Sequence, residues 1–431
     1  MVLNQQQLDP DPALPVKKNA PGLAAFANII EQHATDAAFL WVLRSFSEVS
    51  AFYSSEDITE LDQRIIGYME GLISAEQLGW EICLQNFEYE EPGETFVAAI
   101  IAFQSGDAAK INMVCEKALA NPEMTPGLVS ALGWLNESKA KLLIKRFLNS
   151  SDSKYLYLGI AACSMCRLDP KQQLNHILQN PDITQQPGLY AQCLRLIGEL
   201  KRHDLVSVLN QAMDANQENA RFWANWSAVL LGNSAAINQL KPYILEGNPY
   251  KHHALELVFN VLPTDQARQL ITELSKDPTQ IRTVIKSITM LGDPADVPWL
   301  LAQMSQPLLA RLSGLAFSLM TGIDLEQHKL DRDYEIAFKD DSESGIEDDA
   351  ENPDNGLPWP DQNKVQAFWE DHGKSLEAGQ RYFMGQPVSS ESLREVLPSG
   401  NQAQRSAAAL KLAVLELNTV LQNVAAPTVT I

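Results

Sequence analysis

The chain has 431 residues, and its 54 acidic and 33 basic side chains give a net charge of −21 at pH 7. This acidic balance argues against binding to a nucleic-acid backbone, because neutralising phosphates requires a basic surface. No apolar stretch approaches the roughly 20 residues of a membrane-spanning helix, and residues 1–15 lack the apolar core of a signal peptide. We therefore expect a cytoplasmic protein that neither binds nucleic acid nor inserts into a membrane.

The N-terminal part of the chain is predicted to contain a tail and a helical cap. Residues 1–22 are expected to be disordered, and residues 23–105 carry helical patterns that are out of phase with the repeats that follow. Such a block is typical of the cap that closes a repeat array. Within it, His33, Trp41 and Arg44 are candidates for a partner-binding surface, and the alternative is that they pack inside the cap.

A repeat of about thirty residues follows, in residues 106–325. Apolar helical runs end at a large hydrophobic residue near Gly, Asn, Asp or Pro, at intervals of 29 to 34 residues. These helix-ending residues are Phe103, Trp134, Leu168, Leu200, Leu231, Leu262, Leu291 and Met320. Each interval holds two amphipathic helical patterns, so each repeat is predicted to be a helical hairpin that buries its apolar faces on its neighbours.

One turn between hairpins indicates the type of array. In residues 291–294 the sequence is LGDP, where Gly ends one helix, Asp caps the next and Pro fits its first turn. TPR repeats have a similar length, but their aromatic and small-residue pattern is absent. The predicted fold class is all-α, an α-solenoid of HEAT-like helical hairpins with an N-terminal helical cap.

A basic residue recurs near the start of the second helix of successive repeats, and we call this series the basic ladder. Its members are Arg221, Lys251, Arg282 and Arg311, spaced by 30, 31 and 29 residues, and Arg405 has a comparable place near the C-terminus. In one interpretation the ladder pairs with acidic groups of adjacent repeats and fixes their stacking. In the other it lines a groove that binds a partner.

Residues 326–362 are predicted to be an acidic, flexible insertion that ends in a Trp-Pro-Asp segment. Its stretch 331–354 carries eleven carboxylates and two basic residues, without the ligand spacing of a calcium-binding EF-hand loop. Trp359 is expected to pack on the array or, alternatively, to contact a partner. Residues 363–431 are predicted to form C-terminal helices that include one further HEAT-like hairpin.

Few residues suggest chemistry. Cys163 and Cys166 form a CxxC, and Cys193 and His203 lie one repeat later, so a zinc site is conceivable. No second CxxC or HxxxH completes it, and free cysteines in apolar runs pack as small hydrophobic residues in a reducing compartment. Nucleophile and phosphate-loop motifs are absent. We predict no catalytic residue, no metal and no cofactor.

Several motifs, in this order, resemble a bacterial HEAT-repeat family of uncharacterised proteins from type VI secretion gene clusters. The matching segments are residues 30–34, 37–44, 61–65, 79–81 and 357–361, together with Arg381, Tyr382, Gly385, Gln404 and Arg405. The acidic insertion is a departure from the family. The resemblance implies a cellular context, and it carries over no mechanism and no catalytic residue.

The expected function is non-enzymatic. The leading hypothesis is a protein-protein interaction scaffold of type VI secretion, an adaptor or chaperone for an effector or a spike-tip protein. An alternative is an immunity protein that neutralises a basic toxin, since an acidic inhibitor attracts a basic partner. A lyase or hydrolase acting in the solenoid groove is a third hypothesis.

Overall fold

A computed structural model describes residues 21–48, 50–245, 249–332 and 354–431. These residues are predominantly helical, and their only strands are Tyr382–Phe383 (β1) and Gln386–Pro387 (β2), which pair antiparallel. The prediction of an all-α fold is confirmed. None of the described helices combines the length and apolarity needed to cross a bilayer. Most of the predicted tail, and residues 333–353 of the acidic insertion, lie outside the described residues.

The chain divides into two compact units. The first reaches Val42 and includes Arg64–Leu128, and the second comprises Leu43–Gln63 and Val129–Ile431. The helices of the N-terminal region are α1 (Pro21–Ser47), α2 (Ser55–Ser74), α3 (Glu76–Asn86), α4 (Pro92–Ser105), α5 (Ala108–Ala120) and α6 (Thr125–Gly133). In the first unit α4 packs on both α3 and α5, so its residues 95–103 are all buried.

The second unit contains a series of helix pairs, which we call the array. Its helices are α7 (Glu137–Leu148), α8 (Ser153–Cys166), α9 (Gln172–Gln179), α10 (Pro187–Glu199), α11 (Val206–Ala212), α12 (Glu218–Leu230), α13 (Ile237–Leu245), α14 (Lys251–Val261), α15 (Thr264–Leu274), α16 (Ile281–Leu291), α17 (Val297–Gln303) and α18 (Pro307–Thr321). Each odd-numbered helix packs on the next helix, and α8, α10, α12, α14, α16 and α18 contact one another in series. The predicted hairpins are present, and their classification as a HEAT-like solenoid stays a prediction.

The helix-ending residues predicted from the repeat are located correctly. Each lies within two residues of the end of an even-numbered helix from α4 to α18. After α16, Gly292 takes a left-handed conformation (φ 68°), and the Asp293 carboxylate accepts a hydrogen bond from the Ala295 N–H at 3.0 Å. Helix ends are easily predicted at such sites because glycine tolerates positive φ and Asp caps exposed N–H groups.

Short 3₁₀ turns connect several of these helices. They are Phe87–Tyr89, Pro181–Gln185, His203–Leu205, Ser234–Ala236, Pro278–Gln280, Pro294–Asp296 and Gly373–Ser375.

The described ends of the acidic insertion are held together at its base. The Arg332 N–H donates to the Trp359 carbonyl and the Asp361 N–H donates to the Leu330 carbonyl, each at 2.8 Å. Asp361 then caps the next helix, α19 (Gln362–His372). The described residues on either side of 333–353 therefore lie next to each other.

The predicted C-terminal hairpin is also present. Its helices are α20 (Ser390–Ser399) and α21 (Gln402–Leu415), and they pack on each other. Leu393, Ala408 and Leu412 form a small core with Phe383 of β1, and α21 also contacts α14. The hairpin is thus placed beside the array, and residues 416–431 continue from it without regular structure.

Candidate functional site

The most distinctive feature of the second unit is its final segment, residues 417–431, which we call the strap. The strap contains no charged residue. It passes the C-terminal ends of α10, α8 and α6 in that order, as its contacts below show. None of its residues is buried. An irregular segment therefore lies along the helix ends with little burial of its own side chains.

Backbone groups make several of the strap's hydrogen bonds. The Leu421 N–H donates to the Glu199 carbonyl at 2.9 Å, and the Ile431 N–H donates to the Trp134 carbonyl at 2.7 Å. In return the Ile431 carbonyl accepts from the Asn136 N–H at 3.0 Å. The last carbonyls of an α-helix have no partner within the helix, and the strap supplies donors at the ends of α10 and α6.

Side chains of the array also bind carbonyl groups of the strap. His203 contacts the Leu417 carbonyl through Nε2 at 3.0 Å, and Arg167 donates from Nε to the Leu421 carbonyl at 2.6 Å. These contacts recognise main-chain atoms, so they place little demand on the sequence of the strap.

Two strap side chains add specificity. Asn423 donates from Nδ2 to the Met165 carbonyl at 2.8 Å, near the end of α8. Thr428 donates its hydroxyl to Asp62 Oδ2 at 3.0 Å, and its N–H donates to the same oxygen at 2.7 Å. The Met165 carbonyl and the Asp62 carboxylate therefore accept hydrogen bonds from a side-chain amide and a hydroxyl that are five residues apart in the strap.

Asp62 belongs to a buried charged cluster. Its carboxylate pairs with Arg44, and the two side chains are 0% and 2% exposed. Arg44 also donates to Glu48 at 2.7 Å and to the Ala425 carbonyl at 3.1 Å, and its guanidinium lies 5.2 Å from the Trp134 ring centroid. Burial raises the pKa of Glu48 to about 7, although Arg44 opposes this shift.

A second charged cluster, formed by Glu199, Arg195 and Arg167, lies next to Leu421. Glu199 is fully buried, and it accepts from Arg195 at 2.9 Å and from the Ser164 hydroxyl. Arg167 lies 3.2 Å from the same carboxylate, and burial lowers the pKa of this guanidinium while Glu199 opposes the change. The three charged side chains of the two clusters that contact the strap, Arg44, Asp62 and Arg167, each have an opposite charge beside them, which suits an uncharged strap.

A cavity of about 710 Å³ separates part of the strap from the helix ends. We call this cavity, together with the helix ends that the strap contacts, the strap groove. Glu137, Cys166 and Arg405 line it on one side, and Gln422 and Asn423 line it from the strap. The strap thus touches the array at separate points and leaves space between them.

The basic ladder lies at the predicted register, near the starts of α12, α14, α16 and α18. Arg221 donates to the Tyr243 hydroxyl at 3.3 Å, and Lys251 donates to Gln280 at 2.8 Å. Both partners belong to the following helix pair or the turn that leads to it. These contacts agree with the stacking interpretation of the ladder, and a role in partner binding stays a prediction.

The other two ladder members hold the last part of the acidic insertion, residues 354–362. Arg282 makes a two-pronged ion pair with the Asp354 carboxylate, at 2.8 and 2.5 Å, and donates to the Leu308 carbonyl at 3.1 Å. The guanidinium of Arg311 lies 4.3 Å from the Trp359 ring centroid. Trp359 therefore contacts its own chain, as expected from the packing alternative.

The three N-terminal candidates do not share an exposed position. His33 is partly buried and meets Tyr68 edge-on, with ring centroids 5.3 Å apart. Trp41 is buried and stacks on Phe96 at 5.4 Å. Arg44 is buried in the Asp62 cluster described above. Trp41 and Arg44 are interior residues because each finds a large or charged partner inside its own unit.

The cysteines occupy apolar positions. Cys163 and Cys193 are buried, Cys166 is partly buried, and burial raises the pKa of Cys166 to about 11. A thiol with such a pKa is protonated at neutral pH and is a poor nucleophile. Among the described residues no group of three or more His, Cys, Asp or Glu side chains is arranged to hold a metal ion.

The strap is a candidate element that the sequence did not reveal. Its contacts are largely main-chain contacts, which leave no motif. One signal was present: fifteen consecutive uncharged residues end a chain in which 20% of the residues are charged.

Comparisons of the chain with family models, with curated proteins and with solved structures return no match. The proposed binding role therefore rests on the geometry of the strap groove.

Proposed function

We propose that this protein is a non-enzymatic scaffold that binds other proteins, and that it serves type VI secretion as an adaptor or chaperone for an effector or a spike-tip protein. The observation that supports a binding role is the strap itself. The helix ends of the array hold an irregular, uncharged segment through main-chain hydrogen bonds. A surface of this kind suits polypeptide ligands.

The physical basis is the set of groups at the helix ends. The last carbonyls of a helix have no hydrogen-bond donor within the helix. The Arg167 and His203 side chains donate hydrogen bonds to carbonyl groups of the strap. Any peptide backbone carries both donors and acceptors. Repeated helical hairpins add a long surface on which such contacts recur.

The type VI context rests on the resemblance of the motifs quoted above. The basic-toxin alternative has one observation in its favour, the net charge of −21, which would accelerate association with a basic protein. The two functions differ in their partner and in the consequence of binding.

The test is reconstitution with the products of one gene cluster. We would mix the purified protein with each effector, spike-tip protein and adaptor encoded beside it, and measure complex mass by light scattering after gel filtration. A complex of defined stoichiometry with a secretion component supports the proposal. Binding only to a toxin, with loss of the toxin's activity, would favour the immunity function and overturn it. Turnover of a small substrate, abolished by one substitution that preserves folding, would overturn it in favour of an enzyme.

A further inference from the structure

We propose that the strap groove is a binding site for an uncharged, non-helical segment of a partner protein, and that the strap occupies this site as an internal competitor. The inference rests on the proposed function and names the surface and the class of ligand. Five features of the groove carry it.

The first feature is how weakly the strap is buried. Leu417 and Val420 are 44% and 38% exposed, and no strap residue is buried. Segments with few buried apolar contacts open locally at a lower free energy than helices do. The strap can therefore leave the groove while the array stays folded.

The second feature is the nature of the contacts. Leu421, Ala425 and Ile431 bind through main-chain atoms, to Glu199, Arg167, Arg44, Trp134 and Asn136. Another polypeptide can present the same atoms with different side chains. The groove is therefore suited to a foreign segment as well as to the strap.

The third feature sets the charge of the ligand. Within the two clusters, the charged side chains that contact the strap are Arg44, Asp62 and Arg167, and each has an opposite charge beside it, Asp62, Arg44 and Glu199 respectively. A charged ligand side chain brought against these pairs would lose hydration and gain no new partner. The favoured ligand is uncharged, as the strap is.

The fourth feature is a pair of side-chain positions. The Met165 carbonyl accepts from the amide of Asn423, and Asp62 accepts from the hydroxyl of Thr428. A partner segment that carries Asn or Gln five residues before Thr or Ser can make both bonds. Hydrogen bonds to a buried carboxylate are the stronger kind, so the hydroxyl position carries more of the specificity.

The fifth feature distinguishes a foreign segment from a second copy of the strap. A strap from another copy would repeat the present contacts and leave the same cavity of about 710 Å³. It would also compete with a covalently attached strap, whose effective concentration is in the millimolar range. A foreign segment with larger uncharged side chains can fill the cavity and so gain contacts that the strap lacks.

The experiment uses the full chain and a labelled synthetic peptide of residues 417–431, followed by fluorescence anisotropy. Wild-type protein should bind this peptide weakly, because its own strap competes. A variant with a weakened strap, Asn423→Ala with Thr428→Val, should bind the peptide about tenfold tighter or better. The matched control changes the same residue types at exposed positions that do not line the cavity, Asn418→Ala with Thr272→Val, and should behave as wild type.

Two altered peptides test the ligand class. Val424 and Ala426 line the cavity, so a peptide with Val424→Lys should bind the weakened variant about tenfold less tightly. A peptide with Ala426→Leu should bind it more tightly than the unaltered peptide does. Equal affinity of all three peptides would overturn the proposed ligand class.

Hydrogen exchange on the wild-type chain keeps the test informative if the weakened variant does not fold. Excess peptide should accelerate exchange at Leu421, Thr428 and Ile431 without changing α10 or α12. Absence of peptide binding to every chain, or a strap-exchanged dimer of the weakened variant, would overturn the proposal. Peptide binding without any secretion partner would instead refute only the proposed function. A secretion partner whose capture is insensitive to the strap variants would refute only this site.

Discussion

Thr428 donates its N–H and its hydroxyl to one oxygen of Asp62, across 366 positions of the chain. The other oxygen of that carboxylate accepts from Arg44, and both charged side chains are almost fully buried. A single interior ion pair therefore anchors the end of an otherwise exposed segment. The Thr428 hydrogen bonds require the Asp62 carboxylate, whereas the ion pair between Arg44 and Asp62 does not require the strap.

Substitution Asp62→Ala should lower the free energy of unfolding by about 3 kcal/mol, because the buried charge of Arg44 loses its fully buried partner and keeps only the partly exposed Glu48. Urea denaturation followed by circular dichroism measures this loss. The Thr428 amide should also exchange faster, since its acceptor is gone.

The matched control is Glu60→Ala, an exposed carboxylate on the same helix, which should change stability by less than about 0.5 kcal/mol. Replacing both partners, with Arg44→Met and Asp62→Leu, should restore most of the stability, because neither of the two buried charges is left alone and Glu48, whose pKa burial raises to about 7, can become protonated. A double variant as unstable as Asp62→Ala would contradict this account.

The second prediction concerns Gly292 at the end of α16, where the backbone of Tyr382 packs against the helix end. Gly292 and Gly106 follow α16 and α4 with nearly the same φ, 68° and 69°. A Cβ on Gly106 meets nothing within 4 Å, whereas a Cβ on Gly292 would overlap the carbonyl oxygen of Tyr382. The Tyr382 N–H also donates to the Gly292 carbonyl at 2.7 Å.

Both glycines changed to alanine should suffer backbone strain of about 1 kcal/mol. Gly292→Ala should cost about 1–3 kcal/mol more, because Tyr382 must move. Thermal unfolding of the two variants checks the difference. Equal losses would show that the contact between Tyr382 and the helix end contributes nothing to stability.

The helix ends could be predicted from sequence because their causes are local. Gly292 and Asp293 end one helix and start the next using only neighbouring atoms. The ladder was predictable for the same reason, since its register follows the repeat. Its partners were not predictable: Arg282 pairs with Asp354, which lies in the acidic insertion, and the repeat does not extend into that segment.

The strap and the Arg44 cluster could not be predicted in this way. Arg44 stands in a largely apolar helix, and only the fold brings Asp62 and Ala425 to it. Main-chain contacts such as that between Leu421 and Glu199 leave no pattern in side chains. The candidate site was therefore visible only once the chain was folded.

The acidic insertion gives a third prediction. Replacing residues 334–352 by a six-residue Gly-Ser linker should change stability by less than about 1 kcal/mol, because loop length enters only logarithmically. The change Asp354→Ala should cost about 1–3 kcal/mol, since Arg282 loses a two-pronged ion pair. Thermal melts of the two proteins provide the comparison. A larger loss for the linker protein would mean that the deleted residues contribute packing.

The fourth prediction concerns Lys411, which is buried near the junction of α21 and the array. Its ammonium donates to Asn260 at 2.5 Å and to the Met290 carbonyl at 3.0 Å. Burial lowers the pKa of Lys411 from 10.5 to about 7, and Arg381 lowers it further while Glu256 opposes both. Between these two pKa values the unfolded chain binds a proton that the folded chain has released.

The unfolded state therefore binds more protons than the folded state above pH 7, and the free energy of unfolding must rise with pH there. From pH 7 to pH 8.5 the contribution of Lys411 is about 1.5 kcal/mol. Urea denaturation at both pH values measures it as the difference between wild type and Lys411→Met, which lacks the titrating group. The exposed control Lys145→Met should keep the wild-type dependence. If Lys411→Met shows the same rise as wild type, the lysine is charged in the folded protein and its environment is more polar than its burial indicates.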